Sequence, residues 1–317
     1  MEPATQSRLT DRRRGARPAI RLLVSALFGW VCLGVALGLA TGITRALQQH
    51  LDLDALPVAL IQAVIMAALA ISSIVMLRRY LDKRSLGELG VDRRAAAPLA
   101  LGLAVGAATG IVIWGSAVAL GWIRIDSVDV PTFATFLVIN GAVLALYEAL
   151  PEELALRGHV WTNLKDGFGV AAATIGTTAL FPFLGVVVGP VAWLTVTALG
   201  AEPATIRIFP AGNDPIVYII QLTLFGLALV AARRIPIRGA LFIAVAFHWT
   251  QLTVTRTLLG GTGWADSGWR IDWVEPDAIA LVLVHIIVAG ALFTTIRWAL
   301  TRSRKSTAAP APLPTRR

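Results

Sequence analysis

Cysteine occurs once in this chain, at Cys32, so no internal disulfide can brace the fold. A lone thiol also carries no firm information about redox compartment. Charge is scarce too. Lysine, arginine, aspartate and glutamate make up 15% of the 317 residues, against 56% apolar types and a mean hydropathy of +0.71. A soluble chain of this length could not hide that much apolar surface, which excludes the water-soluble globular classes. The formal net charge of +9 does not point to nucleic acid. The arginines gather in the two tails and beside the ends of apolar runs, where charge orients a membrane protein and holds it near anionic lipid. No internal repeat is strong enough to argue from.

What is abundant is apolar length. A hydrocarbon core about 30 Å thick needs roughly 20 apolar residues per helix. Runs near 20–43, 55–77, 97–122, 132–156, 168–198, 214–232, 238–259 and 277–300 meet that need and predict an all-α polytopic bundle of about eight transmembrane helices. The opening "DRRRGARPAIR" resembles a secretory leader, but the run from Leu22 to Ile43 exceeds an h-region and no small-residue cleavage site closes it, so it reads as a retained helix. The fifth run is too long for one span. Pro182, Gly185 and Gly189-Pro190 predict a broken helix there, or a span plus an interfacial piece.

Orientation follows from the connections. The N-terminal tail, "RRYLDKRSLGELGVDRR" (78–94), "RGHVWTNLKD" (157–166), "RRIPIR" (233–238) and "TRSRKS" (301–306) are basic. The alternating connections at 50–57, 125–131, 201–215 and 263–277 are acidic or poor in basic residues. Eight spans put every basic connection on one side, with both termini cytoplasmic in the plasma membrane of a bacterial-type cell. Trp264, Trp269 and Trp273 suit an interfacial aromatic belt. The chain divides into a basic cytoplasmic tail (1–19), a membrane domain (20–300) and a Pro/Ala-rich, basic, disordered tail (301–317).

Ionisable residues at membrane depth cost about 2.5–3.5 kcal/mol each on insertion scales, so each is a candidate for function. They are Glu148, Glu152, Glu153, Arg157, His159, His248 and His285. Glu153 and Arg157 are four apart and can pair on one helical face. Such a pair explains two charges as structure alone and leaves Glu152 about 100° away, facing elsewhere. The spacing of Glu148, Glu152 and His159 predicts one shared stripe. Pro151 removes a backbone hydrogen bond and should kink or restart the helix. His248 lies mid-span in the seventh helix, where a lone histidine is more often a packing residue than a ligand. His285 reads as structural, and His50 lies on a loop.

"EELALRG" (152–158), "FGLALVAARRIPIRG" (225–239) and the following helix with His248 resemble the CPBP family of CAAX proteases and bacteriocin-processing proteins, which are all-helical intramembrane metalloproteases. "SLGELGVDRR" (85–94) is similar to that family's connector, and the likeness covers about 80–255. It implies an endopeptidase that acts on a membrane-associated peptide or protein. In that scheme Glu152 coordinates or activates the attacking water with zinc or another divalent metal. Glu153 and Arg157 orient the site, and His248 is a metal ligand or oxyanion partner.

The chain departs from that pattern at two positions. Gly185 stands where the family's Phe-x-x-x-His motif, begun here by Phe181, has histidine. Leu252 stands where its His-x-x-x-Asn motif has asparagine. Glu152 and His248 alone fall short of the three protein ligands that catalytic zinc usually has. His159 could supply the missing imidazole, giving a ligand set of Glu152, His248 and His159, and Gln251 could supply an amide. The alternative is a catalytically inactive protein of the same fold that binds a peptide or partner helix. A transporter is a third reading, motivated by the broken fifth helix.

Overall fold

The computed structural model describes residues 3–307, with side chains from residue 19 to residue 304. Ten helices follow one another among these residues: α1 (Pro3–Leu51), α2 (Ala55–Met76), α3 (Ala96–Ala119), α4 (Val130–Leu144), α5 (Leu150–Glu153), α6 (Trp161–Leu180), α7 (Gly185–Ala198), α8 (Pro215–Arg233), α9 (Leu241–Leu258) and α10 (Leu281–Thr307). The fold is all-α, and six helical stretches are long and apolar enough to cross a membrane: Ala19–Leu51, Ala55–Leu81, Ala96–Ala119, Val130–Ala198, Pro215–Arg233 and Pro276–Arg304. Starts are set locally. Asp129 accepts from the Thr132 amide at the head of α4, and Asp214 accepts from the Ile216 and Val217 amides at the head of α8. Each is followed closely by a proline, which needs no amide partner in a first turn.

The stretch from Val130 to Ala198 is not one rod. Asn163 and His159 face Ser25 of α1, and Gly167 faces Leu22. Beyond Gly169 the order inverts: Trp30 donates to the Leu180 carbonyl, while Gly34, Gly38 and Gly42 face Val187, Val191 and Thr195. The chain therefore runs against α1 before Gly169 and alongside it afterwards. Gly169 makes the reversal with φ 85°, a conformation that side chains other than glycine's resist. The expected break near Pro182 is present as a short 3₁₀ turn, Phe181–Phe183.

Two glycine stripes let parallel helices approach closely. Gly34, Gly38 and Gly42 seat α7, while Gly102, Gly106 and Gly110 seat α9 at Ala246, Thr250 and Val254. Small residues every fourth position are how membrane helices maximise packing when lipid competes equally for apolar surface. This period-four repeat went unread in the sequence.

The bundle is apolar outside and has an apolar core in which a few polar clusters are enclosed. Ile111, Val138 and Ile175 are exposed, whereas Arg78, Glu153, Arg157 and His159 are fully buried. One end carries the basic connections. At the other, β1 (Arg124–Val128) pairs antiparallel with a strand from the 261–272 connection, which also holds a small ribbon. The ribbon is β2 (Gly261–Thr262) with β3 (Ala265–Asp266), and β1's partner is β4 (Trp269–Asp272). Strands were not expected in these acidic loops. Trp273 meets Trp114 edge-on at 6.0 Å, and Trp269 meets Phe133 at 5.6 Å, so two of the three expected belt tryptophans lock this cap onto the bundle.

The first apolar stretch begins at Ala19, beside the expected end of the basic tail, but helices extend beyond the apolar runs at both ends. α1 already begins at Pro3, and α10 continues to Thr307 instead of ending near 300. The remainder of the expected disordered tail, 308–317, lies outside the described residues.

Candidate functional site

Pro151 does not break its helix. The turn before it widens into a π-helix, Ala145–Ala149, and α5 then starts with the proline in its first turn, where a missing amide leaves nothing unsatisfied. A second π segment, Leu154–Val160, comes directly after α5. Each i→i+5 turn takes in an extra residue and rotates the residues beyond it, so the stripe expected to join Glu148, Glu152 and His159 does not exist. Glu148 and Glu152 share a cavity. His159 faces away, onto α1.

Glu153 and Arg157 form the buried i,i+4 pair, with Arg157 Nη1 donating to Glu153 Oε1 at 2.9 Å. The same oxygen lies 3.0 Å from His248 Nδ1. It is therefore Glu153, not Glu152, that touches His248. The guanidinium stacks 4.4 Å above the Phe181 ring, and the imidazole meets Phe225 edge-on at 4.9 Å. A carboxylate oxygen only accepts, so Nδ1 is the donor of this bond and Nε2 takes no part in it.

Beside this cluster, a cavity of about 430 Å³ opens towards the connection between α7 and α8. Glu152, Phe181, Gly185, His248 and Leu252 all line it, whereas Glu153 and Arg157, the rest of the EExxxR segment, lie behind its wall. Glu152 is half-buried there and has no hydrogen-bond or ion partner among the described residues. Glu148 is not available in the same way, because Arg256 Nη2 donates to it at 2.6 Å. Gln251 donates to Thr255 at 3.1 Å and presents the rest of its amide to the cavity wall. Leu252 adds only apolar surface. Arg45 and Arg207, both exposed, stand among the lining residues beside apolar walls such as Val188 and Leu222.

Gly185 shows why no side chain fills the vacant motif position. A Cβ placed there would fall on the Ile208 carbonyl, and one at Gly189 would sit 2.9 Å from the Arg207 carbonyl. The α7–α8 connection is folded against these glycines and takes the space a histidine would need.

The remaining histidines are elsewhere. His159 Nε2 donates to the Ser25 carbonyl at 3.1 Å, and its Nδ1 lies 3.6 Å from Asp82. Ser25, Asn163 and Arg78 complete that cluster around Asp82, at the basic end of the bundle. His285 bonds the Gly106 carbonyl at 3.1 Å, a packing role as expected, and His50 bonds the Leu199 carbonyl. Arg256 and Asp82 were missed as members of polar clusters. Asp82 was signalled only by its i,i+4 spacing from Arg78, and Arg256 by being the one cation within α9.

Zinc does not fit these residues. Among those described, no group of three or more histidines, cysteines, aspartates or glutamates could hold a metal. The cavity offers Glu152 and one nitrogen of His248, while His159, the expected third ligand, belongs to another cluster. No family model, no curated protein and no solved structure matches the chain.

Proposed function

We propose that the chain is a CPBP-like polytopic protein whose Glu152–His248 cavity receives an apolar peptide segment and holds it without metal-dependent cleavage. The observation that carries this reading is at Gly185. Glu152, His248 and the Phe181, Gly185 and Leu252 positions converge on one cavity, yet the place of a second imidazole is taken by the Ile208 backbone. In this reading eight helices cross the plasma membrane of a bacterial-type cell. Five of the six apolar stretches count once, the reversal at Gly169 makes Val130–Ala198 two, and α9 is the eighth. Both termini are then cytoplasmic, on the side of the basic connections.

One observation favours hydrolysis as a second reading. Glu152 is an unpartnered carboxylate in the same cavity as an imidazole whose orientation Glu153 fixes. Such a carboxylate could take a proton from water attacking a peptide carbonyl.

The test uses the full chain in lipid nanodiscs with fluorescent apolar peptides, with and without a C-terminal prenyl group. Saturable binding without fragments, weakened by filling the wall with Ala192→Trp, is the expected result. Fragments lost in Glu152→Gln but indifferent to chelator would establish the hydrolytic reading instead. Chelator-sensitive fragments would restore the metallopeptidase, and absence of saturable binding would overturn the proposal.

A further inference from the structure

A second site lies on another face of the bundle, separated from the Glu152 cavity by α8 and by Ile286, which lines both. Between the second half of α6, the end of α8 and α10 runs a groove of about 590 Å³. Its floor and walls are apolar, with Leu224, Leu227, Ile287 and Ala291 among them. At one end stand two arginines, Arg234 and Arg297, both half-buried. Neither guanidinium has a hydrogen-bond, ion-pair or aromatic partner among the described residues. They are close enough to repel. Burial lowers the Arg234 guanidinium from its ordinary value, and the Arg297 charge lowers it further. Two like charges held together in a partly dry place, with no carboxylate supplied by the described residues, call for an anion from outside.

The dimensions say which anion. From Leu224 to Arg234 is ten residues of helix and from Ile286 to Arg297 is eleven, each about 15 Å at 1.5 Å per residue. That is half of a hydrocarbon core of about 30 Å, the depth of one leaflet. The groove therefore starts near the bilayer midplane and ends with its two cations at headgroup level, at the end of the bundle that carries the basic connections. Thr294 and Thr295 lie on the same stretch of α10. Each donates its hydroxyl proton to a carbonyl one turn back, so each oxygen can still accept but offers no further proton. The guanidiniums are thus the donors for a phosphate.

We propose that this groove is a binding site for an anionic phospholipid, its phosphate between Arg234 and Arg297 and one acyl chain along Leu227, Ile287 and Ala291. A phosphodiester supplies the missing negative charge and accepts bidentate hydrogen bonds from each guanidinium. The chain supplies the apolar length that a free phosphate lacks. Although Ile286 lines both cavities, neither arginine lines the Glu152 cavity, and the proposal does not depend on that cavity's role.

Native mass spectrometry of the full chain in detergent, titrated with dioleoyl phosphatidylglycerol or dioleoyl phosphatidylcholine, tests it. Phosphatidylglycerol adducts should form preferentially. Arg234→Gln with Arg297→Gln should weaken them by roughly five-fold per arginine and leave phosphatidylcholine binding unchanged. Arg93→Gln with Arg94→Gln removes the same charge from an exposed connection and should preserve the preference. Ala291→Phe, which narrows the groove, should weaken phosphatidylglycerol binding while both guanidiniums remain. Circular dichroism and thermal stability of each variant report whether it is folded.

Equal affinity for the two lipids in the unaltered chain would overturn the site, as would an equal loss in the Arg93/Arg94 control. Displacement of phosphatidylglycerol by millimolar glycerol phosphate would reduce it to a headgroup contact without the groove. A dimer abolished by Ala291→Phe would assign the groove to a second copy of the chain.

Discussion

Glu153 Oε1 stands 3.0 Å from His248 Nδ1 and 2.9 Å from Arg157 Nη1, so one carboxylate oxygen both balances a cation and orients an imidazole. This separates two neighbours in sequence into different kinds of work. Glu153 is fully buried and committed, whereas Glu152, one residue earlier, faces the cavity without a partner. Glu152 and His248 are the ionisable pair left facing the cavity, while Glu153 and Arg157 are tied up in the packing behind it.

Arg157→Ala should therefore destabilise the protein severely. It strands a buried carboxylate in a membrane interior, and removing one partner of a buried pair costs about 3–5 kcal/mol. It also removes the guanidinium from the Phe181 face. The double variant Glu153→Gln, Arg157→Met should recover more than half of that loss, because neither charge remains. Unfolding in mixed micelles measures both, and with the single variants Glu153→Gln and Arg157→Met added it closes a double-mutant cycle. Additive losses would mean that the pair is not coupled.

Gly185→Ala should loosen the connection between α7 and α8 without unfolding the bundle. The new methyl group must displace the Ile208 carbonyl, a backbone atom, and overpacking of this kind costs about 1–3 kcal/mol. Trypsin should then cut after Arg207, which is exposed, faster than in the unaltered chain. An unchanged cleavage rate would show that the connection is already mobile at that point.

These two sites show what a sequence can and cannot disclose here. The Glu153–Arg157 pair was legible because i,i+4 proximity is a local property of any helix. The apolar runs were legible for the same reason, since their length is written in consecutive residues. His159 was misplaced because the two π segments around Pro151 shift every later residue, and nothing in "PEELALRGH" marks a widened turn. The partner of Glu153 was also out of reach: the choice between Glu152 and Glu153 for His248 depends on the packing of α5 against α9, 95 residues away. Gly185 looked like a lost histidine. Only the approach of a connection more than twenty residues further on shows that a side chain there has no room.

Stability should fall with acid in a way that depends on Asp82. Burial pushes its carboxyl up, but hydrogen bonds from Ser25, Asn163 and Arg78, with His159 beside it, hold it below the usual carboxylate range. A carboxyl depressed by folding adds stability that is fully present above its unfolded value, about 3.9, and is lost as pH falls through the folded value. Thermal midpoints should therefore drop below about pH 5 in the unaltered chain, by linkage to this and similar carboxylates. Asp82→Asn should start lower and show a shallower slope over that range. Glu88 shares Arg78 with Asp82 and accounts for part of what slope is left, so Asp82→Asn combined with Glu88→Gln should be shallower again. Identical slopes in all three proteins would rule out the cluster as the source.

Two alanine substitutions in one helix should have opposite signs. At Gly102 a Cβ would meet the Ile243 carbonyl of α9 and come within 2.7 Å of the Ala246 Cβ, so Gly102→Ala must push α3 away from α9 along the stripe. At Gly115, thirteen residues later in the same helix, a Cβ would meet nothing within 4 Å. Gly115→Ala then only removes backbone freedom from the unfolded chain, which stabilises a helix interior by about 1 kcal/mol. Gly102→Ala should cost about 1–3 kcal/mol or more, because a backbone oxygen cannot swing aside as a side chain does. Its effect should also reach the site, since Ile243 and Ala246 lie on the helix that carries His248. Midpoints of thermal unfolding in detergent read the two signs directly. Were Gly102→Ala as stable as the unaltered chain, the close α3–α9 contact would not exist. Were Gly115→Ala destabilising, the open flank of α3 would be covered in the folded protein.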